Sequence, residues 1–160
     1  MFYADVTAST MSDALVVVED IDRDRQLLDR ARSFAAGSDS DLVVLSLVTT
    51  DEYEEVAETL DAIGQVEHTT YDEGTILDGL ASDVSDLAAD VLGEHISYDV
   101  RVEVADENQA DRIITLADET DCDHIFLPGQ RRSPTGKAVF GDRTQRVILD
   151  FGGYVTVAMD

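Results

Sequence analysis

The stretch ALVVVEDID, residues 14–22, decides the fold of this chain. Its first five residues are apolar and rich in β-branched side chains, which predicts a buried strand, and the polar residues after them predict a helix start. From Arg23 to Ala36, apolar residues recur at spacings of three and four, and we expect Gly37 to close this helix as a C-cap. The domain is therefore predicted to begin with a strand followed by a helix.

The same alternation continues to the end of the chain. Apolar or alternating runs predict four more strands, at residues 42–48, 100–104, 124–127 and 154–158. Helical spacing predicts helices at about 52–63, 76–92, 110–120 and 144–149, and Gly64 and Gly74 are expected to bracket the break between the first two of these. Strands that alternate with helices require parallel pairing and right-handed crossovers. The sequence therefore predicts an α/β fold with a doubly wound five-stranded parallel sheet of order 3-2-1-4-5.

The predicted topology also predicts where a ligand would bind. In an open sheet of this kind, ligands bind beyond the C-terminal ends of the strands, where the strand order reverses. Here that point lies between the first and fourth strands. The segments expected at this edge are residues 19–22, 47–50 and 128–144.

Length and composition indicate one globular domain. The chain has 160 residues, of which 44% are hydrophobic, so a net charge of −24 does not indicate disorder. We expect a domain over residues 13–160 and a poorly ordered leader over residues 1–12, because Met11 would itself make a plausible start. The first residues lack the regions of a signal peptide, and no run approaches the ~20 apolar residues of a membrane span. We therefore expect a cytoplasmic protein.

The charge balance narrows the class of partner. Lys137 is the sole lysine, against ten arginines and thirty-five carboxylates. Such a surface repels itself at ordinary ionic strength, whereas molar salt shortens the screening length to about 3 Å. We hypothesise a very salty cell interior, the alternative being an ordinary acidic protein. Nucleic acid and anionic membrane are disfavoured as partners, because they need clustered Lys and Arg. The lone Cys122 excludes an internal disulfide and is expected to be a buried thiol.

The loop after the fourth predicted strand carries a phosphate-type signal. It reads PGQRRSPTGKAVFGDRT over residues 128–144 and holds three glycines and four of the eleven basic residues. Glycines let the backbone approach a phosphate, and the helix that follows offers a positive dipole end. The loop is not a Walker A motif, because Ala138 stands where a magnesium-binding Ser or Thr should follow the lysine. The candidate ligand-binding residues of this loop are Gly129, Arg131, Arg132, Gly136, Lys137, Gly141, Asp142 and Arg143.

From residue 13 onward the chain resembles the universal stress protein family, whose loop after the fourth strand usually reads G-x2-G-x9-G-[ST]. The resemblance rests on the acid that closes the first strand, on DHIFL at residues 123–127 leading to Gly129, on the glycine loop, and on the short helix and final strand. It implies an adenine-nucleotide alpha-hydrolase-like fold with the strand order given above. It also implies a homodimer joined through the last strands and, as in some members, ATP or AMP with Mg²⁺ in the crevice.

The resemblance assigns roles to four residues. Glu19 stands where an aspartate closes the first strand near the ribose and metal, and Leu47 stands where a main-chain contact reads the adenine. Gly129 corresponds to the first motif glycine, beside the ribose, and Gly141 corresponds to the last, beside the phosphates.

The loop also departs from the family pattern. Arg132 replaces the second glycine, the span to the last glycine is one residue shorter, and Asp142 replaces the Ser or Thr that would donate to phosphate. A carboxylate there repels phosphate and accepts helix amides itself. Four cations of the loop could offset this charge: Arg131, Arg132, Lys137 and Arg143. Ion pairing with neighbouring carboxylates is the alternative role for Arg131, Arg132 and Lys137.

Structural roles compete with binding at other positions as well. Asp142 and Gln145 have the spacing of a capping box, which would satisfy helix amides with no ligand present. Glu19 and Asp20 are expected either to bind Mg²⁺ with a nucleotide or to cap the first helix. No metal site is predicted from the histidines, because they are dispersed at residues 68, 95 and 124.

Three functional hypotheses follow. The first is a universal stress protein that binds an adenine nucleotide or another phosphate ligand without strong catalysis. The second is a nucleotide-free dimerisation module of the same family, whose crevice is filled by its own arginines. The third, which ranks last, is a slow nucleotide hydrolase. It requires a water activated by Glu19 or Asp20. No nucleophilic triad is evident around Ser46 or Cys122.

Overall fold

A computed structural model describes residues 13–67, 73–94, 96–129 and 141–159. Strands β1 to β5 comprise Asp13–Val17, Leu42–Val48, Tyr98–Val104, Cys122–Pro128 and Tyr154–Ala158. Helices α1 to α5 comprise Arg25–Ser38, Thr50–Glu67, Glu73–Leu92, Gln109–Glu119 and Asp142–Asp150. None of these described helices is long and apolar enough to cross a membrane. The expected leader, residues 1–12, lies outside the described residues, as do His68 and His95.

All five strands run parallel in one sheet of order β3-β2-β1-β4-β5. β1 is central, because Leu15 lies opposite Val43 of β2 and also opposite Ile125 of β4. The strand order reverses between β1 and β4, so the C-terminal ends of these strands border the crevice predicted from the sequence. The predicted fold class and strand order are confirmed.

Two apolar clusters hold the helices to the two faces of the sheet, because side chains alternate between faces along each strand. The first cluster packs α1 and α3 against one set of strand residues, which includes Val16 and Val44. The second packs α4 and α5 against the other set, which includes Leu15 and Leu45. β2 is buried along its whole length, which explains why its sequence is apolar at every position except Ser46.

Cys122 belongs to the second cluster and is buried, so the prediction of a buried thiol is confirmed. Burial raises the pKa of this thiol to about 11. The thiolate is the nucleophilic form of cysteine, so Cys122 is unreactive at neutral pH.

The helix ends differ from the sequence prediction. α1 continues past Gly37, and Asp39 takes the left-handed C-cap position with a φ of 55°. A glycine inside a helix costs only about 1 kcal/mol, and a short polar side chain such as Asp can adopt the left-handed conformation. Gly64 and Gly74 likewise lie inside α2 and α3. The prediction of Gly37 as a C-cap is therefore wrong. Gly64 and Gly74 do lie on either side of the break between α2 and α3, but both helices extend beyond the ends predicted at residues 63 and 76.

α2 begins with a capping box that the sequence analysis did not predict. Oγ1 of Thr49 accepts a hydrogen bond from the amide of Glu52 at 3.2 Å, and the Glu52 carboxylate accepts one from the amide of Thr49 at 2.9 Å. Asp106, which follows β3, accepts hydrogen bonds from the amide and hydroxyl of Thr50 at 2.9 and 2.6 Å. These contacts fix the start of α2 at the C-terminal edge of the sheet.

Candidate functional site

An ion pair lies in the crevice between the C-terminal ends of β1 and β4. Glu19 follows β1, and its two carboxylate oxygens accept hydrogen bonds from Nη1 and Nη2 of Arg143 at 2.8 and 2.7 Å. Gln109, the first residue of α4, holds the same guanidinium: its Oε1 accepts a hydrogen bond from Nη1 at 3.1 Å. Nε2 of Gln109 in turn donates to the carbonyl of Ala105 at 2.9 Å. The crevice thus holds a fixed cation that faces an acid of the same chain.

The ion pair is open to solvent. The side chain of Arg143 is 18% exposed and that of Glu19 is 37% exposed. Both charges stay partly hydrated, so the pair can exchange partners at a lower cost than a fully buried one. Both residues were predicted at this site from the sequence, and the structure pairs them with each other. Ion pairing with a carboxylate was the alternative predicted for Arg131, Arg132 and Lys137, which lie outside the described residues, so the pairing of Arg143 with Glu19 is a finding that was not predicted.

Asp24 organises the turn between β1 and α1, and the sequence analysis missed it. Its carboxylate, which is 2% exposed, accepts hydrogen bonds from the amides of Glu19 and Asp20 at 2.8 and 3.0 Å and from Nε of Arg23 at 2.7 Å. Burial by itself raises the pKa of Asp24, but these hydrogen bonds outweigh burial, so the pKa lies below the ordinary value of 3.8. The first two backbone amides after Val18 are therefore bonded to Asp24 rather than free for a phosphate.

Asp20 shapes the same turn. Its Oδ1 accepts hydrogen bonds from the amides of Asp22 and Arg23 at 3.0 and 2.9 Å, an arrangement typical of an Asx turn. α1 begins only at Arg25, so Asp20 caps the turn that precedes the helix. The expectation that Asp20 caps the helix itself is corrected accordingly.

Gly129 follows β4 and is required by the packing of the sheet. A Cβ atom placed on Gly129 would lie 2.1 Å from the carbonyl oxygen of Ala158 and 2.7 Å from Cγ1 of Val157. Only glycine therefore lets the chain leave β4 so close to the end of β5. This close approach explains the glycine without a phosphate.

The model of the universal stress protein family matches residues 11–157. The chain belongs to this family. Its fold is similar to that of a universal stress protein from Archaeoglobus fulgidus, with 21% identity, a TM-score of 0.64 and coverage of 91% of this chain and 97% of that one. A universal stress protein from the same organism in complex with dAMP has 17% identity, a TM-score of 0.60 and coverage of 92% and 98%.

A third solved structure, a universal stress protein in complex with cAMP, has 16% identity, a TM-score of 0.53 and coverage of 92% and 98%. Among curated proteins, none matches this chain in sequence. The family predicted from the sequence is confirmed, and these solved structures share its fold.

The family's glycine loop is described here only at its two ends. Gly141 is the N-cap of α5 in extended backbone, and Asp142 is the first helical residue. A capping box would need Asp142 at the N-cap position, so the predicted capping box of Asp142 with Gln145 is wrong. An acid in the first turn still interacts favourably with the helix dipole. The other candidate residues of the loop lie outside the described residues: Arg131, Arg132, Gly136 and Lys137.

Leu47 is the penultimate residue of β2, as expected for this universal stress protein. Its side chain is 7% exposed and packs in the second apolar cluster. The side chain of Leu47 therefore serves the core, and the adenine contact expected of its main chain stays a prediction.

In the part of this universal stress protein that the structure describes, no group of three or more His, Cys, Asp or Glu side chains is placed to hold a metal ion. Nε2 of His124 is hydrogen-bonded to Oγ1 of Thr156 at 2.7 Å. Two oxygens near the crevice are also occupied, because Asp20 and Asp24 accept backbone amides. These groups do not form a magnesium site by themselves.

Proposed function

We propose that the chain binds an adenine nucleotide, or another phosphate compound, in the crevice and acts as a stress-response module without strong catalysis. The observation that carries the proposal is the guanidinium fork of Arg143, held by Glu19 at the point where the strand order reverses. A guanidinium bonds phosphate in the same two-pronged geometry as carboxylate, so a phosphate can take the place of Glu19. The released Glu19 carboxylate can then accept hydrogen bonds from the hydroxyls of a ribose.

The solved structures that contain dAMP and cAMP support a ligand with one phosphate. One phosphate also suits this crevice, because Asp142 at the start of α5 adds negative charge beside a longer phosphate chain. ATP would bring Mg²⁺ with its phosphates. We propose that Glu19 and Gly129 contact the ribose and that the main chain of Leu47 contacts the adenine. The phosphate is bound at the end of the loop, residues 141–143, together with Arg131, Arg132, Gly136 and Lys137.

Equilibrium dialysis against ATP, ADP and AMP in molar KCl with Mg²⁺ tests this proposal. We expect the chain to retain AMP at millimolar concentration. Glu19→Gln should tighten binding severalfold, because a neutral amide competes less well with phosphate for Arg143, while its Oε1 still accepts a hydrogen bond from a ribose hydroxyl. Retention of none of the three nucleotides at millimolar concentration would contradict the proposal.

The proposal includes no catalytic residue. A hydrolase would need a water activated by Glu19 or Asp20. Arg143 engages Glu19, and two backbone amides engage Oδ1 of Asp20. We expect no steady release of phosphate from ATP, and a release that Glu19→Gln abolishes would indicate a hydrolase instead.

A nucleotide-free interaction module is the second candidate. It is favoured by the ion pair between Arg143 and Glu19, which occupies the crevice with the chain's own groups. Large apolar side chains also remain exposed near the edge strand β5: Leu149 is 80%, Tyr154 is 70% and Ile148 is 42% exposed. We propose that these side chains form a homodimer surface through β5.

Sedimentation in molar KCl tests the homodimer. Leu149→Glu should convert dimers to monomers, because it places a charge in the proposed apolar interface. Ile63→Glu is the matched control, since Ile63 is 41% exposed but lies on α2. A wild-type chain that sediments as a monomer would contradict the homodimer.

We also propose a single domain over residues 13–160 in the cytoplasm of a cell with a very salty interior. The net charge of −24 and the lone buried cysteine support this proposal. Thermal melts against KCl test the salty interior: the melting temperature should rise between low and molar salt, because screening weakens repulsion among carboxylates. An unchanged melting temperature would remove this part of the proposal.

A further inference from the structure

A second cavity, which we call the α1–β5 groove, lies between α1 and the strands β4 and β5. Its volume is about 710 Å³, within the usual range of small-molecule sites. Leu27 and Phe34 of α1 line it on one side, and Phe126 and Val157 of the sheet line it on the other. Among the described residues, its lining includes Gly129 but none of the groups that form the ion pair of the crevice. The α1–β5 groove is therefore a separate site that adjoins the crevice at Gly129.

The aromatic side chains that line the groove are uncharged. The ring of His124 stacks on that of Phe126 with centroids 4.4 Å apart and an interplanar angle of 10°. Phe34 approaches the His124 ring at a centroid distance of 4.7 Å. Burial lowers the pKa of His124, so its imidazole is neutral at physiological pH. The groove thus offers aromatic surface against which a planar apolar body can pack.

The groove also carries cations, although the chain is strongly acidic. Arg23 and Arg30 both line it. Of the eight arginines that the structure describes, seven form an ion pair with a carboxylate, while Arg30 has neither an ion pair nor a hydrogen bond within the described residues. Asp24, the acid in the lining, already bonds two amides and Arg23. The available charge beside the groove is therefore positive.

We propose that the α1–β5 groove binds a small aromatic anion, a planar apolar body that carries one carboxylate or sulfonate. The aromatic body packs against Phe34 and His124, the two partly exposed rings of the lining, and the anionic group bonds the guanidinium of Arg30. This ligand differs in class and in place from the nucleotide of the proposed function, so either proposal can fail without the other.

A fluorescence titration of the full chain in molar KCl tests the groove with two probes. The anionic probe is 1-anilinonaphthalene-8-sulfonate, and the neutral one is N-phenyl-1-naphthylamine. We expect one saturable site per chain for each probe. Arg30→Gln should weaken binding of the sulfonate about tenfold and leave the neutral probe unchanged, because only the sulfonate bonds the guanidinium.

Arg32→Gln is the matched control for that variant. Arg32 lies on the same helix, is paired with Asp29 at 2.9 Å and does not line the groove. We expect wild-type binding of both probes by this control. Equal affinity of the Arg30→Gln and wild-type chains for the sulfonate would overturn the proposal, as would an equal loss in both variants.

Two further measurements separate the groove from other sites. Thr156→Phe should abolish binding of both probes by filling the groove, while unchanged near-ultraviolet circular dichroism shows that the core stays packed. Saturating AMP and Arg143→Gln should both leave probe binding unchanged. Displacement of the probe by AMP, or its loss in Arg143→Gln, would place the probe in the crevice and overturn the proposal.

Discussion

The crevice and the α1–β5 groove are neighbouring sites on one sheet, but their arginines differ in bonding. In the crevice, Arg143 is bonded by Glu19 and Gln109 of the same chain. In the groove, Arg30 has no bonded partner among the described residues and stands beside neutral aromatic rings. An anion must displace an acid in the crevice, whereas in the groove it meets an available guanidinium. The crevice therefore suits a strong anion such as phosphate, and the groove suits a largely apolar ligand.

The two sites share Gly129, so the largest effect is expected there. Gly129→Ala should destabilise the fold by about 3 kcal/mol, because its Cβ would lie 2.1 Å from the carbonyl oxygen of Ala158. Urea unfolding measures this loss of stability. The variant should also bind ligands more weakly at both sites. Gly152→Ala is the control, since a Cβ there meets nothing within 4 Å. Equal stability of the two variants would show that β5 yields and that the packing argument is wrong.

Asp24 also touches both sites, because it lines the groove and bonds the amide of Glu19. Asp24→Asn should cost about 2 kcal/mol at neutral pH, because it removes the charge that accepts four hydrogen bonds. The folded pKa of Asp24 lies below 3.8, so its contribution is complete above that pH and is lost as pH falls through the folded pKa.

Urea unfolding of wild type and Asp24→Asn across the acid range checks this sign. The difference between the two chains should shrink as pH falls below 3.8. Asp22→Asn, at an exposed residue of the same turn, should change stability by no more than about 0.5 kcal/mol. A difference between wild type and Asp24→Asn that stays constant with pH would refute the role of the carboxylate charge.

A smaller effect is expected at the capping box of α2, which adjoins the crevice and not the groove. Thr49→Ala should lower stability by about 1 kcal/mol, because the amide of Glu52 loses its acceptor. Thr59→Ala, inside the same helix, should stay within about 0.5 kcal/mol of wild type. Thermal melts measure the stability of the two variants. A loss of stability in Thr59→Ala as large as that in Thr49→Ala would contradict the capping explanation.

The central strands β1 and β2 could be predicted well from the sequence because burial on both faces leaves a nearly continuous apolar run, whereas exposed and partly buried side chains alternate in the edge strands β3 and β5. The strands at residues 42–48 and 154–158 have the predicted bounds. Helix ends were less predictable, since Gly37 continues its helix and Asp39 ends it. The sequence T-x-x-E that begins at Thr49 forms a capping box in the structure. The same spacing from Asp142 to Gln145 does not form one, because Asp142 lies one residue past the N-cap.

The position of the candidate site could be predicted from the sequence, but the hydrogen bonds and the ion pair within it could not. The topology and the family resemblance put Glu19 and Arg143 at one edge of the sheet, although 124 residues separate them. Neither indicates that the two side chains bond each other. Asp24 was missed because an acid before a helix is typical of a cap, and its burial depends on the conformation of the turn. The groove at Arg30 depends on how α1 lies over β4 and β5, which no short motif encodes.

Calorimetric titration of AMP in molar KCl into wild type, Arg143→Gln and Arg146→Gln tests the central claim most directly. Arg146 lies on the same helix as Arg143 but pairs with Asp150 at 3.8 Å on the exposed surface. The crevice account predicts equal affinity of wild type and Arg146→Gln for AMP, and affinity about tenfold weaker in Arg143→Gln. Equal affinity of the two variants for AMP would contradict it.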